Sequence, residues 1–256
     1  MNHPPIGALI DLKGKRAIVT GGAMGIGFAI ASRFAEAGAR VLIADKDAAA
    51  AEAAAGRLEG AVSSAVDVSH ESEVVVMIEK AIQEFGGVDI LVNNAGIYPF
   101  MPVMEATMGD FERVIHVNLM GAFFCSKGVA AQMALQGTGG KIIHITSIDA
   151  LHPSGIGLAF YDASKHGLWG FTKNLALELA PHHICVNAIA PGAVATPGTG
   201  YFKNDGSRND EFLKRIPMGR PADPDEIGRV ALFLASDLSS YMTGSQIVVD
   251  GGFLIS

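Results

Sequence analysis

The chain has little of what marks a disulfide-stapled, metal-thiolate or nucleic-acid-binding protein. It holds only two cysteines, Cys125 and Cys185, which lack metal-ligand spacing and read as buried apolar fillers rather than a disulfide. Lys and Arg are nowhere concentrated and the formal net charge is −7, so the electrostatic footprint of a nucleic-acid binder is missing. The first twelve residues carry two prolines and no basic cluster ahead of an apolar core, so they form an extension rather than a secretory signal. No apolar run reaches the length expected of a membrane span. These absences lead us to expect a cytoplasmic protein in a reducing compartment.

Glycine, by contrast, is plentiful, with 31 residues in a chain that is 49% hydrophobic and 18% charged, the composition of a globular protein with many tight turns. Short β-branched or apolar runs alternate with longer amphipathic stretches, the pattern of repeated βαβ units around a parallel sheet. Seven strands are predicted, at Arg16–Thr20, Arg40–Ala44, Ala61–Val66, Val88–Val92, Lys141–Thr146, Ile184–Ala190 and Gln246–Val249. Runs such as Val88-Asp89-Ile90-Leu91-Val92 are apolar on both faces, which calls for helices on both sides of the sheet. The fold class is therefore α/β, one doubly wound Rossmann-like domain over residues 1–256. The interval Pro197 to Pro224 breaks the rhythm, and its place after the strand ending at Ala190 suits a substrate lid.

Thr20-Gly21-Gly22-Ala23-Met24-Gly25-Ile26-Gly27 follows the first strand directly and leads into a helical segment, Phe28–Ala37. Glycines there let the backbone approach a pyrophosphate, and the helix N-terminus favours its charge. Asp45 ends the second strand 18 residues after Gly27, near the spacing at which an acid accepts from the adenosine ribose hydroxyls and repels a 2′-phosphate. The middle of the loop, Ala23 and Met24, offers no cation for such a phosphate, so NAD is favoured over NADP. Asp45 could also cap the helix that begins near Asp47.

Tyr161 and Lys165 stand at i and i+4 on one helix face. A phenol titrates near pH ~10, so acid/base work near neutrality needs a cation beside it, which Lys165 supplies. Ser147, at the end of the fifth strand, reaches the same sheet edge and can donate to a substrate oxygen. His144 reads as a satisfied core or sheet residue, and His166 is without a role.

Taken in order, Thr20-Gly21-x-x-x-Gly25-x-Gly27, Asp67-Val68, Asn93-Asn94-Ala95-Gly96, Asn118, Ser147, Tyr161-x-x-x-Lys165 and Pro191-Gly192-x-x-x-Thr196 resemble the classical short-chain dehydrogenase/reductase family, over the whole chain after residue 12. The resemblance implies a catalytic tetrad of Asn118, Ser147, Tyr161 and Lys165. It implies a cofactor site of Gly21, Met24, Gly25, Ile26 and Gly27, with Asp67 and Val68 at the adenine. Asn93, Ala95 and Gly96 would support the central strand and cofactor; Asn94, Pro191, Gly192 and Val194 would bind the cofactor too, with Thr196 at the nicotinamide carboxamide and Lys165 at its ribose. Asn118 would hold a water that continues the proton path from Lys165. It also implies a homotetramer, with interfaces around Glu105–Gln132, Ala159–Ala180 and Gly244–Ser256. Ser147 and Tyr161 are 14 residues apart, one more than in the commonest members, so the loop Ile148–Phe160 carries an extra residue beside the substrate pocket. Asp149 and His152 in that loop could bond a polar substrate alongside Ser147 and Tyr161. The first expectation is an NAD-dependent dehydrogenase of a sugar, polyol or secondary cyclic alcohol. A 3-oxoacyl-(acyl-carrier-protein) reductase is the alternative among enzymes, and a nicotinamide-binding regulatory protein without turnover the alternative outside them.

Overall fold

Seven parallel strands form one sheet in the order β3-β2-β1-β4-β5-β6-β7. They are β1 (Arg16–Thr20), β2 (Arg40–Asp45), β3 (Val62–Ala65), β4 (Ile90–Asn93), β5 (Gly140–Ile145), β6 (Ile184–Pro191) and β7 (Gln246–Val249). The structure, a computed structural model, describes residues 3–198 and 213–256. All seven predicted strands are present; β4 begins two residues later than predicted, preceded by Asp89, whose side chain forms a salt bridge with Arg16 at 2.7 Å.

Side chains alternate faces along a strand, and here both faces are apolar. Ala17, Val19, Val41, Ile43, Ile90 and Val92 join one core layer, covered by α2 (Gly25–Glu36), α3 (Ala48–Ala55) and α8 (Pro224–Ala235). Their strand neighbours Ile18, Leu42, Ala44 and Leu91 join the other, covered by α4 (Glu71–Phe85), α6 (Gly121–Gln136) and α7 (Ala159–Leu179). Two shorter helices among the described residues are α1 (Ile6–Ile10) and α5 (Met108–Ile115). Strand order reverses between β1 and β4, and the carboxyl ends of these strands open the crevice where such sheets bind ligands.

Three expectations need correction. Helix α2 starts at Gly25 rather than Phe28, so Gly25 and Gly27 belong to its first turn. Cys125 is buried but Cys185 only partly so, and both thiols are free. The continuous helical run Met108–Gln136 is long and apolar enough to cross a membrane by length and composition, although its periodic polar residues hide this in the sequence; its buried face, Cys125, Val129 and Met133, belongs to the core under α4. Of the segment 197–224, residues 199–212 lie outside the described residues, so the predicted lid is not described as a whole. Its two ends are zipped together by Ala195 N–H to Ala222 O and Ala222 N–H to Ala193 O, each 2.9 Å.

Candidate active site

The glycine loop is built by close backbone approach. A side chain at Gly27 would collide with the carbonyl oxygen of Gly21, and one at Gly21, where φ is +59°, would lie 2.9 Å from Ala95 Cα. Asn94 fixes the loop from the next strand, its Nδ2 donating to Thr20 O at 3.0 Å and Gly21 O at 2.9 Å. Thr20 returns the contact by accepting from the Asn94 and Ala95 N–H groups through Oγ1. Met24 caps α2 without any side-chain hydrogen bond and is half exposed, so the first N–H groups of the helix point outward with their positive dipole end available. This cradle fits a pyrophosphate.

Asp45, at the end of β2, accepts from Ala23 N–H and Asp47 N–H, both at 3.2 Å. The cap of α3 is Asp47, which accepts from Ala50 N–H, so Asp45 is left to hold a carboxylate against the loop. Asp67 accepts from the Ser69 hydroxyl at 2.6 Å, and this bond sets its carboxyl below the usual range. Val68 is buried against Gly121, where a Cβ would lie 2.7 Å from Val68 Cγ2. On the far side of the crevice Thr196 lies over the loop, 3.3 Å from where a Gly25 Cβ would stand.

A cavity of about 560 Å³ continues from this groove. Ser147, Tyr161, Lys165, Asp149, Asn94, Gly96 and Ile26 line it, with Pro191, Gly192 and Val194 opposite. Asn118 lies beneath, in a π-helical turn (His116–Met120) between α5 and α6. The extra residue in that turn re-aims Asn118 inward. Its amide accepts from Ile97 N–H at 2.8 Å and donates to Ile97 O at 2.9 Å and Ser164 Oγ at 3.0 Å. Lys165 is buried and donates to Ile145 O at 2.7 Å, with its ammonium 5.6 Å from the Tyr161 ring centre. Burial pulls its amine down to about 8.

In the polypeptide the Tyr161 phenol stands above its ordinary value: burial pushes it up, the Asp149 carboxylate adds to this, and only the Ser147 hydrogen bond works against it. The Ser147 hydroxyl caps the turn that follows, accepting from Asp149 N–H at 3.1 Å and donating to Asp149 Oδ2 at 2.9 Å. Of the predicted substrate contacts, Asp149 lines the cavity whereas His152 does not, being exposed and edge-on to Phe253. The sequence missed Phe253 as a lining residue, since its place depends on the C-terminal segment returning over Ile148.

His144 is a core residue, as expected, and its partners fix its protonation. Thr172 Oγ1 donates to Leu168 O at 2.7 Å and therefore accepts from His144 Nδ1–H at 2.8 Å. Nε2 is then bare and accepts from Ser126 Oγ at 3.2 Å, which accepts from Asn93 Nδ2 at 3.0 Å. Burial lowers the imidazole to about 3, so it stays neutral. The chain ties β4, β5, α6 and α7 together below the site.

A dinucleotide cradle at the switch point of a doubly wound sheet, beside a buried Tyr, Ser and Lys, defines an oxidoreductase of the Rossmann type. A family model described as enoyl-(acyl carrier protein) reductase matches residues 21–254. A 2-dehydro-3-deoxy-D-gluconate 5-dehydrogenase from Dickeya dadantii (strain 3937) is 42% identical over 248 residues, covering 95% of this chain and 97% of the relative. A D-threitol dehydrogenase from Mycolicibacterium smegmatis is 40% identical over 248 residues, covering 95% and 94%. A 3-oxoacyl-(acyl-carrier-protein) reductase from Chlamydia pneumoniae is 43% identical over 248 residues, covering 95% and 98%. The crystal structure of a short-chain type dehydrogenase/reductase from Mycobacterium marinum superposes with a TM-score of 0.92 at 36% identity, covering 97% of this chain and 98% of that one. The chain belongs to the classical short-chain dehydrogenase/reductase family and is an oxidoreductase of CH–OH groups.

Proposed function

We propose that this enzyme uses NAD to oxidise a neutral secondary alcohol, a sugar, polyol or cyclic alcohol, with Tyr161 as the acid/base. The observation that carries the reading is the carboxylate of Asp45, held against the glycine loop by Ala23 N–H at 3.2 Å, where it would accept from ribose hydroxyls and repel a 2′-phosphate. When bound, oxidised nicotinamide supplies the hydride acceptor and a positive ring that favours a nearby phenolate. The chain's own residues do the rest. Tyr161 Oη, as phenolate, takes the hydroxyl proton while the carbinol hydrogen leaves as hydride. Ser147 turns its hydroxyl to the substrate oxygen and steadies it. Lys165 holds the nicotinamide ribose, and Asn118, through its turn, supports the proton path from Lys165. The relatives are named for a sugar acid, a polyol and a 3-oxoacyl carrier protein, and the polyol suits a cavity in which Lys165 is the one Lys or Arg among the described lining residues. We also place the enzyme in the cytoplasm, as a homotetramer; exposed apolar side chains such as Leu177 and Ile255 in the predicted interface segments support the assembly.

The test is nicotinamide reduction by purified protein with neutral polyols and secondary alcohols, NAD and NADP in parallel. Turnover with NAD is expected to exceed that with NADP by at least ~10-fold. Preference for NADP with turnover of 3-oxoacyl thioesters alone would favour the carrier-protein reductase, and tight NADH binding without turnover of anything would favour a regulatory protein.

A further inference from the structure

Asp149 stands outside the groups the hydride transfer requires. It sits two residues after Ser147, in a short 3₁₀ turn (Ile148–Ala150), and lines the same cavity as Ser147, Tyr161, Tyr98 and Ser154. Two hydrogen bonds fix it to Ser147: Oδ2 accepts from Ser147 Oγ at 2.9 Å, and its own N–H donates to that Oγ at 3.1 Å. The titratable groups facing it are Asp162, His152, Lys165, Tyr161 and Tyr98. Asp162 is occupied by Ser154, which donates from Oγ at 2.6 Å and from N–H at 3.1 Å. Lys165 is turned to the main chain at Ile145 O. Asp149 therefore lines the cavity without a salt bridge among the described residues.

The Ser147 hydroxyl has one proton. Once it turns to the substrate oxygen, Asp149 loses its side-chain donor, and a partly buried carboxylate left short of a donor is costly. We propose that Asp149 is a specificity-determining residue that takes its replacement donor from a second hydroxyl, on the carbon next to the reacting one, so that the enzyme selects neutral vicinal diols over mono-alcohols and rejects carboxylates. The two oxygens of a gauche diol lie about one hydrogen-bond length apart, which matches the spacing between Ser147 Oγ and Asp149 Oδ2. A mono-alcohol leaves Asp149 unsatisfied; a carboxylate substituent adds a like charge and no donor. This inference rests on the alcohol-oxidising reading above.

The experiment compares kcat/KM for cis-1,2-cyclohexanediol, cyclohexanol and 2-hydroxycyclohexanecarboxylate with NAD, in the native enzyme, Asp149→Ala and Asp149→Asn, at a pH above neutrality. The native enzyme should prefer the diol over cyclohexanol by at least ~10-fold, and Asp149→Ala should collapse that ratio by a similar factor. Asp149→Asn, which keeps the shape and an acceptor but removes the charge, should raise turnover of the carboxylate ~10-fold relative to cyclohexanol. That gain is an effect no merely structural damage produces, and NADH binding by fluorescence reports whether each variant is folded. Alcohol turnover with no diol preference, or a preference that survives Asp149→Ala, overturns the inference while the proposed function stands. Failure to oxidise any alcohol overturns both.

Discussion

At the residue scale, the acid/base role proposed for Tyr161 makes its protonation govern the direction the enzyme finds easy. Burial and the Asp149 charge hold the phenol above its ordinary value, so in neutral solution it is a proton donor. Alcohol oxidation needs the phenolate, so kcat/KM for oxidation should climb with pH well into the alkaline range, whereas carbonyl reduction should be flat through neutrality. Removing a negative neighbour lowers a phenol's pKa, so Asp149→Asn should move the climb to lower pH; an unchanged profile would mean that the Asp149 charge does not act on Tyr161. Asp45→Ser should cut the NAD-over-NADP preference by ~10-fold or more, read as a ratio of kcat/KM values. The candidate residues proposed for this chemistry were legible in the sequence because Tyr161 and Lys165 share a helix face and Asp45 ends a strand. The direction of the phenol's shift was not, since it depends on how deeply a long-range fold buries the ring and on which way one serine hydroxyl turns.

Elements place those residues, and two of them show where local pattern stops being informative. The π turn that aims Asn118 inward inserts one residue into a helix whose apolar positions read as continuous α-helix, so periodicity alone cannot find it. The glycine loop was readable, and its physical requirement is sharp: Gly27→Ala places a Cβ against the Gly21 carbonyl. That substitution should weaken NADH binding at least ~10-fold and lower the melting temperature, both measurable by thermal titration with NADH. The hydrogen-bonded chain through His144 crosses from sheet to helices, so a histidine in a strand gave no sign of its partners. Its imidazole is about 3 in the fold against ~6.5 when unfolded. The unfolded chain thus binds the extra proton, and stability should fall as pH drops from ~6.5 toward about 3. His144→Asn should flatten that part of the acid limb in denaturant titrations, and an unaltered limb would show that His144 is charged in the fold.

On the scale of the whole molecule, the alternation of short apolar strands with amphipathic segments was enough to set the number of strands and the parallel sheet. Strand ends differ from expectation by one or two residues, because the apolar pattern marks which runs pair and not where the pairing stops. Assembly is the least legible level, because an interface is a property of two surfaces and the sequence shows one. The tail Phe253–Ile255 illustrates this: Phe253 turns into the cavity while Ile255 is 90% exposed. If the proposed tetramer buries Ile255, native mass should be four times that of the chain, and Ile255→Asp should shift it toward smaller species in sedimentation velocity.

The most direct test of the central claim is the rate of NADH formation from the best neutral alcohol by the native enzyme and by Tyr161→Phe, with NADH affinity measured on both. A loss of at least ~100-fold in kcat with affinity retained is the predicted result; a rate within a few-fold of native would contradict Tyr161 as the acid/base and, with it, the mechanism proposed for this site.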